Sequence, residues 1–157
     1  MPTSSSRRWP IKVIGVTAAA CCAVTAFLLW PPSPEALLAE AQTALHRGDF
    51  QMAEQLALRI KSRQPLFASS RFIAGEAAAR AGAYGRAIDC YAAIPRDASA
   101  TALRAAVFQG EVLRDTGQLS AAEQEYRYAL QHDPARLQVH ERISFLQCFT
   151  GRRWEAL

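Results

Sequence analysis

Three glycines, each in the same setting, constrain this chain more than any other feature. They lie in His46-Arg47-Gly48-Asp49-Phe50, Arg80-Ala81-Gly82-Ala83-Tyr84 and Asp115-Thr116-Gly117-Gln118-Leu119, 34 and then 35 residues apart. Two residues after each comes a bulky apolar group: Phe50, Tyr84, Leu119. Five after comes alanine: Ala53, Ala87, Ala122. Nine after come Ala57, Tyr91 and Tyr126, and twelve after come Ile60, Ile94 and Ala129. Seven before, the residue is always small: Ala41, Gly75, Gly110. Seventeen after, two of the three units have proline, Pro65 and Pro134. A period of this length marks a repeat architecture, and the unit has to be identified before the fold.

Each position has a physical reason. Glycine at a helix end adopts the left-handed cap conformation without a steric penalty. A small residue on one side of it and alanine on the other let two antiparallel helices approach closely. The offsets of five, nine and twelve keep helical phase, so these residues share one face. Proline then ends the second helix before the next unit begins. Each unit is a helix–turn–helix whose apolar face is hidden only by stacking on its neighbours.

A helical hairpin of about 34 residues with this order of small residue, glycine, bulky residue, alanine, aromatic and proline resembles the tetratricopeptide repeat. The resemblance covers a repeat array over residues 35–157, with repeats at about 34–67, 68–102 and 103–136 and a partial fourth at 137–157. In that fourth unit Gly151 follows Pro134 by 17 residues, as Gly82 follows Pro65, and Ser144 supplies the small residue. The resemblance implies an all-α, right-handed α-solenoid in which the first helix of each hairpin lines a concave face. It also implies a protein that binds another protein instead of catalysing a reaction. Departures accompany it. The large residue usual early in the first helix is replaced by Leu37, Arg71 and Ala106. Pro95 comes four residues after Tyr91, so the second unit should end early and continue into a longer loop through Arg96-Asp97-Ala98-Ser99. Ile143, Phe145, Leu146, Phe149 and Trp154 are expected to lack cover in the half-built fourth unit.

The concave face that the resemblance implies offers Gln42 and His46 from the first unit. Phe72, Glu76 and Arg80 come from the second, and Val107, Glu111 and Arg114 from the third, with Arg104 and Asp115 nearby. Such a mixture suits a partner helix or extended peptide. Some proteins of this kind clamp a terminal carboxylate with Lys and Asn. This chain has no Asn, and its only lysines are Lys12 and Lys61, so Arg80 and Arg114 are the groups expected to hold an acidic partner.

The N-terminus belongs to a different class. Residues 1–10 form a basic leader, residues 11–30 an expected transmembrane signal-anchor helix, and residues 31–34 a proline-rich linker. From Val13 to Trp30 no residue is charged. Eighteen helical residues span about 27 Å, close to the thickness of a bilayer's hydrocarbon core. Trp9 and Trp30 bracket the run, and Pro31, Pro32 and Pro34 end it. Arg7, Arg8 and Lys12 place the N-terminus in the cytoplasm, which puts the repeats on the periplasmic or extracytoplasmic side of the inner membrane. Two alternatives stay open. Ala18-Ala19-Ala20 before Cys21, together with the Arg7-Arg8 pair, suits a cleaved, lipidated or twin-arginine export signal and hence an exported soluble repeat protein. The uncovered fourth unit suits the adaptor end of a longer polypeptide.

Other chemistries find little support. Three of the 18 basic residues and none of the 14 acidic ones lie in the first 30, so the rest of the chain is nearly neutral and offers no nucleic-acid surface. His46, His132 and His140 show no metal spacing, and the cysteines show no CxxC pair, so no metal or other cofactor is expected. Cys90 is expected to be a buried free thiol. A Cys90–Cys148 bridge would suit an exported protein, but it would have to cross more than one and a half repeats. No GxSxG, Walker A or GxGxxG element occurs. Acids such as Glu54, Glu123 and Glu125 read as solvated helix faces, and no enzyme is expected.

Overall fold

The computed structural model describes residues 32–64 and 66–151. The first helix, α1 (Pro34–Arg47), starts where Ser33 accepts a hydrogen bond on its hydroxyl from the backbone N–H of Ala36, at 3.2 Å, with proline at the first helical position. It stops at Gly48, whose φ of 82° is left-handed and whose N–H donates back to the Leu45 carbonyl. Asp49 then caps α2 (Phe50–Leu58) by accepting from the Met52 N–H at 3.2 Å. The same two-helix unit recurs as α3 (Phe67–Arg80) with α4 (Tyr84–Ala92), and as α5 (Ala100–Asp115) with α6 (Leu119–His132). A single helix, α7 (Leu137–Phe149), follows and ends at Gly151. Gly82, Gly117 and Gly151 repeat the left-handed geometry at φ 74°, 79° and 78°. All the elements described are helical.

Residues from Ser33 onward form one compact unit. Its core runs as three linked clusters, one per hairpin. Leu37, Leu45, Leu56 and Ile60 of the first hairpin pack with Ile73 and Ala77 of α3 and with Cys90. Phe72, Tyr91 and Ile94 pack with Ala102, Ala105 and Val112 of α5. Val107, Leu113, Tyr126 and Ala129 pack with Val139 and Leu146 of α7. Every cluster therefore spans a hairpin and the first helix of the next, as stacking requires.

The seam inside each hairpin is its closest approach. A Cβ placed on Gly75 would stand 2.6 Å from the Tyr91 ring, and one on Gly110 would stand 2.5 Å from the Tyr126 ring. These glycines are needed for space, whereas Gly48, Gly82 and Gly117 are needed for conformation, with nothing within 4 Å of an added Cβ. Ala53, Ala87, Ala122 and Ala129 are fully buried, as is Ala41 at the place of the two seam glycines.

Pro95 lies beyond the end of α4, which is no shorter than α2: both end ten residues after their turn glycine, and the loop after α4 is no longer than the one after α2. The fourth helix ends at Ala92, and the chain loops to Ser99, which caps α5 by accepting from the Ala102 N–H at 3.3 Å. At the departure Arg71, the guanidinium lies over the Phe67 ring, 5.0 Å from its centroid. One expectation about the fourth unit is corrected. Leu146 is buried, because it and Val139 complete the third cluster, while Phe145 and Phe149 stay exposed at 58% and 72%. Pro65 and Trp154 lie outside the described residues, as does the expected membrane span at residues 11–30. Among the described residues no helix is long and apolar enough to cross a membrane.

Candidate protein-binding groove

The first helices of successive hairpins face a common depression. Its first hollow, about 480 Å³, lies between α1, α3 and α5 and is lined by Gln42, His46, Ser69, Phe72, Glu76, Arg80, Thr101 and Arg104. A second, about 450 Å³, continues between α5 and α7 and is lined by Arg104, Val107, Phe108, Glu111, Arg136, Gln138 and Arg142. Arg104 belongs to both and joins them.

Five of the residues expected on this face are thus brought into one hollow: Gln42, His46, Phe72, Glu76 and Arg80. Val107 and Glu111 line the next. Their roles differ from the expectation in three ways. Phe72 and Val107 are buried and form the floor. The Phe72 ring sits edge-on to Phe108 at 5.3 Å and tilted against Tyr91 at 5.9 Å. Arg80 is held by Glu76 at 2.6 Å, one helical turn back. Arg114 lines neither hollow and is engaged by its neighbour Asp115 at 2.7 Å. The cation left over is Arg104. It is exposed and makes no ion pair among the described residues, and its guanidinium lies over the Phe72 ring at 4.5 Å from the centroid. Glu111 is paired in turn by Arg142 of α7. The contribution of Arg142 was not legible from the sequence, because the incomplete fourth unit carried no expected groove residue.

Two tyrosines underlie the groove. Tyr91 and Tyr126 are almost wholly buried, and neither hydroxyl finds a hydrogen-bond partner. Burial, followed by the nearby carboxylates Glu76 and Glu111, raises the Tyr91 pKa. Burial also pushes that of Tyr126 up to about 12.

The acids read as solvated faces prove to be paired, and two of them are buried. Glu54 accepts from Arg86 of the next hairpin through both carboxylate oxygens, at 2.9 and 3.2 Å. Glu123, also buried, takes Arg127 at 2.6 Å. Glu125 takes Arg96, whose guanidinium lies 4.7 Å from the Tyr128 ring centroid. The Glu54–Arg86 pair ties α2 to α4 and the Glu125–Arg96 pair ties α6 to the loop after α4, while Glu123–Arg127 lies within α6. Cys90 and Cys148 are both free thiols, and burial raises the Cys90 pKa, which disfavours its thiolate.

No family profile and no curated protein matches the chain. Among solved structures, MamA, a tetratricopeptide-like helical protein, superposes with a TM-score of 0.68 at 21% identity, over 79% of this chain and 72% of that one. The chain has a tetratricopeptide-like fold. At that identity the likeness extends to the architecture. It matches what the helices show: paired helices joined at left-handed glycines, with the first helix of each pair turned towards the groove. The tetratricopeptide-like array therefore presents a continuous lining drawn from α1, α3, α5 and α7.

Proposed function

We propose that the protein is a non-catalytic scaffold that holds a segment of a partner protein along the groove. The groove carries this reading: two hollows of about 480 and 450 Å³ meet at Arg104, with an apolar floor and charged walls. Apolar floor area supplies affinity and the polar rim supplies register, the usual division in peptide recognition by helical surfaces. The residues proposed to contact the partner are Gln42, His46, Glu76, Arg80, Arg104 and Glu111, above the floor made by Phe72 and Val107.

We further propose that residues 11–30 anchor the array as a single membrane span, with the groove on the extracytoplasmic side. The support is the uncharged run from Val13 to Trp30 and the positive residues that precede it. One experiment addresses both parts. A photoreactive side chain is placed at Gln42 in the groove or at Gln55, exposed on α2, and the full chain is cross-linked in cells and extracted with carbonate. The expected result is a partner adduct from Gln42 but not from Gln55, on full-length chain that stays in the membrane pellet. Equal adducts from both positions would overturn the groove. A shortened chain in the soluble fraction would overturn the anchor.

A further inference from the structure

The fourth unit repeats the glycine that ends each first helix, so its residues can be placed on the groove by counting back from Gly151. Two residues before the left-handed glycine stand His46, Arg80, Asp115 and, in the fourth unit, Phe149. Six residues before it stand Gln42, Glu76, Glu111 and Phe145. The groove-lining Gln42, Glu76 and Glu111 thus have Phe145 as their counterpart, and His46 and Arg80 have Phe149. These phenylalanines are 58% and 72% exposed and stack on each other with centroids 6.2 Å apart. They are not members of the core cluster, which Leu146 and Val139 of the same helix complete. Two register positions that are polar in the first three units are aromatic in the fourth.

The charges along the same line are also unequal. Glu76 is taken by Arg80 and Glu111 by Arg142, which leaves Arg104 as an exposed cation without an ion pair among the described residues, at the junction of the two hollows. Gln138, thirteen residues before Gly151, lines the hollow that Arg104 also lines. Phe145 lies seven residues further along α7 than Gln138, about 10 Å at the helical rise. An extended peptide covers that distance in about three to four residues.

We infer that the groove takes a peptide segment of a partner protein that carries a carboxylate for Arg104 and, about three to four residues away, an aromatic or large aliphatic side chain for the Phe145–Phe149 pair. The inference rests on the groove reading above and specifies its ligand. The carboxylate meets a guanidinium backed by the Phe72 ring, where bidentate pairing is available. The apolar side chain covers the two exposed rings.

The test is selection of a random dodecapeptide library on the full chain, followed by affinity measurement of the selected peptides on variants. Enriched peptides are expected to pair an acidic with an aromatic or large aliphatic residue. Arg104→Glu is expected to weaken them about tenfold or more, and replacing the peptide's acid with lysine should restore binding to that variant. The double variant Phe145→Ser/Phe149→Ser is expected to cost about tenfold without changing the salt dependence. Both sites are exposed, so melting temperatures serve as the control for folding. Basic or wholly polar peptides that depend on Gln42 and Glu76 would overturn the inference and leave the groove reading intact. Selected peptides insensitive to every groove substitution, or no enrichment over an unrelated protein, would overturn both. A dimer in sedimentation that the phenylalanine variant dissolves would replace the peptide with a second copy of this chain.

Discussion

The first hairpin fills the seam between its two helices from both sides, while the second and third fill theirs from one. Seven residues before and nine after the turn glycine, the first hairpin has Ala41 and Ala57, both fully buried. At the same places the others have Gly75 with Tyr91 and Gly110 with Tyr126. The glycine gives up one methyl relative to Ala41 while the tyrosine adds a whole ring relative to Ala57, and that ring enters the space beside the glycine, so the two kinds of seam are filled differently. The comparison teaches that neither residue is conditioned by its own helix alone. The glycine is required by the tyrosine across from it, and protein interiors tolerate little mismatch in such a pair.

The strongest way to break this comparison is to mix its two solutions. Tyr126→Ala leaves a large void beneath the groove and should cost about 4 kcal/mol. Gly110→Ala drives a methyl into the same ring and should cost about 3 kcal/mol. The double variant recreates the first hairpin's pair. It should be less destabilised than the two single losses added together, by about 1–3 kcal/mol of coupling in denaturant melts. Strict additivity would mean that the seam is not shared.

A smaller effect separates the hairpins by pH. The Tyr126 hydroxyl is held neutral in the fold with a pKa raised to about 12, against 10.0 for an unperturbed tyrosine. Above pH 10 the unfolded chain gives up this proton while the folded chain keeps it. The unfolded state then binds fewer protons, and stability falls as pH rises from about 10 to about 12. Tyr91, whose pKa is also raised, acts in the same direction. The first hairpin has no counterpart. Replacing both tyrosines with phenylalanine should flatten the alkaline fall in melting temperature, without lowering it at pH 7, where the two hydroxyls have no partner to lose. An unchanged alkaline profile would assign the loss to other groups.

The smallest effect concerns what the hairpins share. Gly48→Ala meets no atom within 4 Å, and its cost comes only from φ of 82°. About 1 kcal/mol is expected, well below that of Gly110→Ala. Equal costs would mean that conformation and space are not the separate demands that the two sets of glycines indicate.

The hairpins were legible in the sequence because their determinants are local. The left-handed turns that end the first helices carry glycine in every unit, and helical phase carries the apolar face on from them. The groove was less legible. A stacked first helix buries one stripe against its own partner and another against the neighbouring hairpins, so Phe72 and Val107, placed on the outward face by phase, end as its floor. Arg80 and Arg114 are held by Glu76 and Asp115, and which groove arginine lacks an acid depends on these side-chain pairings, which phase does not determine. The Glu54–Arg86 contact joins residues 32 apart in the chain, and no spacing rule connects them. Residues 11–30 and Trp154 lie outside the described residues, so the expectations about them rest on sequence alone.

The alanine pair and the glycine–tyrosine pairs also restrict how such a chain can be rearranged. Each pair straddles its turn glycine, so a crossover at Gly48 and Gly82 would join α1 to α4 and set Ala41 opposite Tyr91, where an added Cβ has no room. The same exchange between the second and third units would pass unnoticed, since both sides carry glycine and tyrosine. Breaks in the loops that follow α2, α4 and α6 keep every pair together. The piece that can be moved among all three units without a clash is therefore the whole hairpin, while single helices can be exchanged only between the second and third.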